Sequence, residues 1–281
     1  MDPKTKTRTD ECACSTCGKP FQGEVVTYLF VEPPHEIPER ECPECKAVRE
    51  ADERRQEEED LNQQRGLVRQ RWARESGVPW RLNASRFQDL DRTYARKVQR
   101  QCLQWAKSFS IERPGDSPSL LLYSTVAGVG KTTLMACIAS HIFERWQGKP
   151  SRARCPVKFE SGPGLVRRIR GTWNLPDEGP RHEREEDVYR ELRGVPLLML
   201  DDVGKEQPRT YRFTQEMYWY IVDERVKAGL PLVLNSRLPM TGPDSLEDLM
   251  GKDTVDRLYG MCRGEMVEID AQSYRRQKGI A

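Results

Sequence analysis

The chain lacks both a strong net charge and a long apolar run. Its 281 residues carry 46 Lys and Arg against 44 Asp and Glu, a formal net charge of +2, so any surface that attracts nucleic acid must be local. No apolar run approaches the length that spans a bilayer, and no apolar segment follows a basic amino terminus. We therefore expect a cytoplasmic protein.

Nine cysteines in a reducing compartment favour metal ligands or buried thiols over a disulfide framework. Cys14 and Cys17 form one C-x-x-C pair, and Cys42 and Cys45 form a second pair after 24 intervening residues. Two such turns facing each other give tetrahedral sulfur coordination, which zinc prefers in closed structural sites. The spacing predicts a zinc ribbon, with redox pairs or four incidental thiols as the alternatives.

The predicted ribbon covers residues 1–50. A unit this small buries little apolar surface, so metal binding would supply most of its folding free energy. Between the cysteine pairs, residues 25–31 are β-prone and favour a hairpin. Cys12, two residues before Cys14, is a competing ligand. Residues 51–76, rich in Glu, Arg and Gln, predict a solvated helical connector, which is either a spacer or a partner-binding segment.

Residues 120–142 predict a strand, a small-residue turn and a helix, the arrangement of a phosphate-binding loop. The glycines let the backbone N–H groups approach phosphate oxygens at the helix N-terminus. The lysine would contact the β- and γ-phosphates, and the threonine hydroxyl after it would bind Mg²⁺. Thr125 stands where the pattern G-x-x-x-x-G-K-[ST] has glycine. The candidate nucleotide-binding residues are Gly128, Val129, Gly130, Lys131, Thr132 and Thr133.

A second signature of a nucleotide site is the apolar run before Asp201 and Asp202. The carboxyl ends of parallel strands line the ligand crevice, so Asp201 is expected beside the phosphates, where it would hold Mg²⁺. Asp202 is then placed to orient the attacking water.

Three further polar groups are catalytic candidates. Asn235 and Arg237 follow another apolar run and share a face if the strand continues, so either could sense the γ-phosphate. We favour Asn235. Arg257 is the candidate for an arginine presented across a subunit interface, the alternative being a surface arginine or one paired with Asp256.

A short basic helix is predicted after residue 160. Arg167, Arg168 and Arg170 combine with Trp173 in the composition of a single-strand binding surface, where cations follow phosphates and a ring stacks on a base. An amphipathic helix with a solvated basic face is the alternative.

Residues 77–281 resemble the AAA+ helicase loaders of the DnaC and DnaI kind and the related IstB transposition helpers. The resemblance rests on SGVPWRLNASRF, AGVGKTTL, LLMLDDVGKE, EMYWYIVDERVKAGLPLVLNSRLP, DRL and SYR. It implies an α/β fold: a P-loop AAA+ domain with a parallel five-stranded sheet, in the order 5-1-4-3-2, between helices. It also implies that Arg257 is the arginine finger and that Arg275 contacts nucleotide as sensor 2. NSR places Arg237 where the family often has asparagine.

The resemblance further implies an ATPase that loads a replicative DNA helicase onto single-stranded DNA. Such a protein would use ATP and Mg²⁺, carry Zn²⁺ in its amino-terminal ribbon and assemble as a homo-oligomer. Two alternatives remain open: an IstB-like transposition helper, and a nucleotide-switched binding adaptor with little turnover.

Overall fold

The computed structural model describes residues 5–30, 33–173, 183–206, 211–264 and 266–279. The chain divides into two compact units, Met1–Gln64 and Arg65–Ala281. The strands are β1 Thr5–Ala13, β2 Pro20–Tyr28, β3 His35–Pro38, β4 Leu120–Tyr123, β5 Val157–Ser161, β6 Leu197–Val203, β7 Leu232–Ser236 and β8 Val267–Glu268. The helices are α1 Pro43–Glu75, α2 Arg96–Ser108, α3 Lys131–Arg145, α4 Gly162–Gly171, α5 Glu185–Gly194, α6 Tyr211–Ala228, α7 Leu246–Met250, α8 Lys252–Met261 and α9 Tyr274–Lys278.

The smaller unit contains an antiparallel sheet in the order β1-β2-β3. In the predicted hairpin, Val25 lies opposite Pro38. β1 was not anticipated, because its residues are almost all exposed and show no apolar alternation. Helix α1 begins at Pro43, between the two cysteines of the second pair, and the division between the units falls within it.

The last turns of α1 contribute to the core of the larger unit. Trp72 is 1% exposed, and its ring centroid lies 4.6 Å from that of Trp146 and 5.7 Å from that of Phe143. The Arg69 guanidinium donates to the Trp146 carbonyl at 2.7 Å. The sequence indicated a solvated helix up to residue 76, whereas its carboxyl-terminal part is packed and lies in the unit that starts at Arg65.

The sheet of the larger unit has the order β5-β6-β7-β4-β8, and every neighbouring pair is parallel. If β4 to β8 are numbered 1 to 5, this order is 5-1-4-3-2 when read from the β8 edge. The predicted five-stranded parallel sheet between helices is therefore confirmed.

Alternating side chains of the strands enter two apolar cores, one on each face of this sheet. Leu120 and Leu122 face the core that contains α2 and α3, while Leu121 faces the core that contains α4, α5 and α6. The last strand of the sheet is short and spans Val267–Glu268. None of the helices in the described ranges combines the length and apolar character that crossing a bilayer requires.

Candidate nucleotide site and metal centre

The turn between β4 and α3 has the backbone shape of a phosphate-binding loop. Gly128 and Gly130 have φ values of 78° and 91°, a region in which other residues are strained. A Cβ at Gly128 would also lie 2.6 Å from the Ser273 hydroxyl oxygen, because the start of α9 packs on the loop. Thr125 is exposed and is absent from the positive-φ residues of the described chain, so its position does not require glycine.

Lys131 is the first residue of α3 and is 7% exposed. Its Nζ donates to the Ser124 carbonyl at 2.9 Å and to the Val126 carbonyl at 3.3 Å. Burial lowers the pKa of this ammonium to about 8, and the nearby Asp202 opposes the shift. Carbonyls of the loop therefore hold a buried cation that phosphate oxygens would satisfy more fully.

Asp201, at the carboxyl end of β6, lies beside the loop. The Thr132 hydroxyl donates to its carboxylate at 2.9 Å, and the Asn235 side-chain amide donates to the same oxygen. Burial, together with the charge of Asp202, raises the pKa of Asp201. A divalent cation would relieve this cost, and a carboxylate with a hydroxyl is the oxygen donor set that Mg²⁺ takes. The residues present therefore fit the metal.

The two sensor candidates differ sharply in environment. Asn235 is fully buried, and its carbonyl oxygen accepts from the Asp202 backbone N–H at 3.0 Å. Arg237 follows the end of β7 and is exposed, and its charge contributes to the lowered pKa of Lys131. The structure thus places Asn235 in contact with both acidic residues, whereas Arg237 is exposed to solvent.

The backbone after β6 forms a tight turn that presents two charged side chains. Asp202 has a φ of 53°, and its carboxylate lies 2.6 Å from the Lys205 ammonium. The Glu206 carboxylate accepts from the Gly204 N–H at 2.6 Å and from the Tyr218 hydroxyl. Asp202 therefore stands next to Asp201 with its charge already paired.

A cavity of about 210 Å³ adjoins the loop on the side of α2 and α9. Tyr94 and Tyr274 line it with ring centroids 4.8 Å apart, and the Tyr94 hydroxyl donates to the Gln272 carbonyl at 2.7 Å. Leu90, Val129 and Leu134 supply apolar walls. Its position next to Gly130 and its aromatic lining suit the base and sugar of a nucleotide whose phosphates occupy the loop.

Arg275 lies in α9, and its backbone N–H approaches the Gly128 carbonyl at 3.4 Å. Its side chain is exposed. The structure therefore brings this predicted residue to the loop, and the chain segment that carries it forms one wall of the cavity.

Arg257 lies away from the loop of its own chain. It lines a cavity of about 380 Å³ with Pro118 and Ser119, which precede β4, whereas the phosphate loop follows that strand. Its guanidinium pairs with the Asp223 carboxylate at 2.9 Å, not with Asp256, and its side chain is 42% exposed. An arginine in this position cannot serve the site of its own chain.

The basic helix α4 is the predicted one, but its arginines differ. The guanidinium of Arg168 contacts the carboxylates of Glu160, Glu183 and Glu191 at 2.6, 2.5 and 2.6 Å. Its positive charge is therefore neutralised by carboxylates of the same chain. Arg167 is exposed.

The neighbours of Arg168 on this surface are partly engaged. The Arg170 guanidinium lies 5.1 Å from the Phe213 ring centroid, and the Trp173 indole donates to the Glu185 carboxylate at 2.9 Å. Trp173 nevertheless remains 52% exposed. Arg167 is therefore the residue of this set whose charge is most open to a phosphate.

Four thiols come together in the smaller unit. The Sγ atoms of Cys14, Cys17, Cys42 and Cys45 all lie within 4.8 Å of one another, and those of Cys17 and Cys42 are 3.8 Å apart. A zinc ion about 2.3 Å from each sulfur would hold the sulfurs about 3.8 Å apart in a tetrahedron. This donor set fits zinc.

Electrostatics within the cluster also suit a cation. The Cys42 backbone N–H, 3.4 Å from the Cys14 sulfur, and that of Cys17 lower the pKa of Cys14 to about 6. Hydrogen bonds with the side chains of Cys42 and Cys17 raise the pKa of Cys45. Zinc binds cysteine as the thiolate and would neutralise the repulsion among four thiolates at this separation. Cys12 is buried on β1, its sulfur lies near Gly23, and it is not part of the cluster.

No protein-family model matches the chain, and no curated protein matches it. Solved structures do. The structure of a DNA replication initiation factor has a TM-score of 0.51 at 17% identity over 69% of this chain and 52% of that one, so the chain spans about half of its length. DnaI has a TM-score of 0.49 at 21% identity, covering 69% and 95%. The DnaC helicase loader has a TM-score of 0.46 at 20% identity, covering 62% and 89%.

The larger unit has the P-loop AAA+ fold. The decisive observation is the parallel sheet in the order 5-1-4-3-2, with the phosphate loop after its first strand and the acidic pair at the carboxyl end of its third. The match to the replication initiation factor agrees with this topology.

Two features of the AAA+ domain could not be predicted from the sequence. Tyr94 and Tyr274 lie 180 residues apart in the chain, and no spacing rule connects them. Lys205, three residues after Asp202, was visible as a charge in LDDVGKE, but only the left-handed backbone at Asp202 turns its ammonium back to that carboxylate. The LDDVGKE motif was therefore the sequence feature from which a role for Lys205 could have been suspected.

Proposed function

We propose that this protein is an ATP-binding and hydrolysing AAA+ protein that loads a replicative DNA helicase onto single-stranded DNA. One observation carries the ATPase part: the Thr132 hydroxyl and the buried Asp201 carboxylate meet at 2.9 Å beside the phosphate loop. Thr132 and Asp201 would hold magnesium there, and the ion would supply positive charge that offsets the negative charge of a triphosphate. The neighbouring aromatic cavity supports a nucleoside triphosphate as the ligand.

Each residue of the proposed site has a separate role. The backbone from Gly128 to Thr133 and the Lys131 ammonium bind the phosphates, while Thr132 and Asp201 hold Mg²⁺. Asp202 orients the water, and Asn235 fixes both acidic residues relative to each other. The Arg275 side chain, carried on the segment that packs against Gly128, reaches the bound nucleotide as sensor 2.

Arg257 completes the site of a neighbouring subunit in this proposal. It lies at the end of the sheet opposite its own loop and its side chain is 42% exposed, so a side-by-side homo-oligomer would present it to the next nucleotide. The Asp223 carboxylate holds it at 2.9 Å in the single chain and would orient it for that role.

The proposal that the partner is a replicative helicase is supported by the motif resemblance to helicase loaders and by the presence of a separate four-cysteine unit. The test is co-purification with the host replicative helicase, with and without ATP, followed by a strand-loading assay. We expect the full chain to bind and load, and a variant without residues 1–50 to lose helicase binding while it still binds ATP. A full chain that binds ATP but no helicase would refute the loader function.

One observation favours a second candidate, a nucleotide-switched adaptor with little turnover. The Asp202 carboxylate is paired with Lys205 at 2.6 Å, which weakens it as an acceptor for the water. Multiple turnover of ATP in the presence of single-stranded DNA would refute the adaptor.

A further inference from the structure

Lys205 has no role in the proposed site so far, yet its ammonium contacts one of the residues of that site. It lies 2.6 Å from the Asp202 carboxylate, which is the group proposed to orient water. Its charge also acts on Lys131 and on Asp201, so it lies within electrostatic range of the phosphate loop and of the proposed magnesium site.

The backbone that carries Lys205 is held firmly. Its N–H donates to the Asp202 carbonyl at 3.2 Å, and the Glu206 carboxylate fixes the intervening Gly204 N–H at 2.6 Å. A Cβ at Gly204, where φ is 104°, would lie 2.6 Å from a Leu238 methyl carbon, so the turn also packs against the segment after β7. The side chain of Lys205, in contrast, is 42% exposed.

The ion pair itself is weak. The side chains of Lys205 and Asp202 are 42% and 30% exposed, and ion pairs with such access to water contribute little to stability because water and salt screen them. A terminal phosphate carries more negative charge than one carboxylate and offers three oxygens, so it competes well for an ammonium on a flexible side chain.

We propose that Lys205 leaves Asp202 for the γ-phosphate when ATP binds, and so distinguishes ATP from ADP. This inference rests on the proposed nucleotide site. The exchange has two effects: it adds a cation to the γ-phosphate, which ADP lacks, and it frees the Asp202 carboxylate to accept a hydrogen bond from water. The Asp202 carboxylate is thus free of Lys205 only when a γ-phosphate is present for water to attack.

The test compares the affinities of the full chain for the magnesium complexes of ADP and of AMPPNP, a non-hydrolysable ATP analogue, by calorimetry. Lys205→Met keeps the length of the side chain and removes its charge. We expect it to weaken AMPPNP binding by about tenfold, the usual size of a lost charged hydrogen bond, and to leave ADP binding unchanged. Lys205→Arg should retain the preference for AMPPNP.

A second variant isolates the exchange. Asp202→Asn removes the carboxylate that competes with phosphate for the Lys205 ammonium, so AMPPNP binding should tighten. That gain should vanish in the double variant with Lys205→Met, because Asp202 affects AMPPNP affinity only through its ion pair with Lys205. Equal weakening of ADP and AMPPNP by Lys205→Met, or no weakening of either, would overturn the proposal while leaving wild-type nucleotide binding intact. Failure of the wild type to bind either nucleotide would instead refute the proposed site and the inference with it.

Discussion

The side-chain amide of Asn235 joins two acidic residues: its nitrogen donates to the Asp201 carboxylate, and its oxygen accepts from the Asp202 backbone N–H at 3.0 Å. The side chain of Asn235 is fully buried. One residue of β7 therefore sets the positions of the proposed metal ligand and of the residue proposed to orient water.

Replacement of Asn235 by alanine should uncouple hydrolysis from binding. It leaves the partly buried Asp202 N–H without its acceptor, which costs at most about 1–3 kcal/mol, and it removes the amide that donates to Asp201. We expect thermal unfolding at a lower temperature and a large loss of ATP turnover with modest loss of ATP affinity. Arg237→Ala is the matched control, since Arg237 is exposed. If the control alone loses turnover, Arg237 is the sensor.

Arg257→Ala should abolish cooperation between subunits. The ATPase rate of the wild type should rise with protein concentration, and the variant should lose about 10³-fold in rate, the lower end for an arginine supplied in trans, while it still binds ATP. Arg263→Ala is the control, because Arg263 borders the same cavity and its guanidinium donates to the Asp116 carbonyl at 3.0 Å. A wild-type rate independent of concentration would contradict the shared site.

The four-cysteine cluster should bind one zinc ion per chain. Chelation should unfold the smaller unit and leave the AAA+ domain folded, because metal binding supplies the folding free energy of such small units. Metal analysis with far-ultraviolet circular dichroism measures both effects. Cys12→Ala should keep full zinc content, since its thiol is outside the cluster, whereas Cys42→Ala should lose it. A chain purified with intact cysteines that binds no zinc would refute the site.

Arg167 should contribute to single-stranded DNA binding, and Arg168 should not. Loss of one phosphate contact lowers the slope of log affinity against log salt by about 0.7 for a single strand, and we expect this change in Arg167→Ala. Arg168→Ala should instead lower the unfolding temperature, because it removes the cation that Glu160, Glu183 and Glu191 share and leaves Lys158 to pair with Glu160 and Glu191. Fluorescence anisotropy over a salt series distinguishes the two. Equal slopes in Arg167→Ala and wild type would remove α4 from the DNA surface.

The boundary of the AAA+ domain can be tested with Trp72. Its side chain is 1% exposed, and replacement of a buried tryptophan by alanine costs about 3–5 kcal/mol. A fragment that begins at residue 77 should be less stable than one that begins at residue 65, by a similar amount. Leu67→Ala is the control, since Leu67 is 62% exposed. Equal denaturation midpoints for the two fragments would place the boundary after α1.

Local patterns were sufficient for the frame of this fold. β4, β6 and β7 are continuous apolar runs, as expected of strands buried on both faces, and Lys131, Thr132 and Asp201 belong to motifs whose spacing reflects contact with one ligand. Trp72 could not be placed in the same way, because it lies in a predominantly charged helix, and its aromatic partners Phe143 and Trp146 come from α3 and the residue that follows it. The ion pairs of Arg168 likewise join residues from three separate elements.

The contact between Trp72 and Trp146 has an optical consequence. Two indoles with centroids 4.6 Å apart and planes inclined by 55° have interacting transition dipoles, so they should produce a paired signal in circular dichroism. Trp146 caps the end of α3, the helix that begins at Lys131. Any movement of α3 when phosphate binds at its first residue would change the geometry of the two indoles. The pair would then report, without a label, on the helix proposed to bind nucleotide.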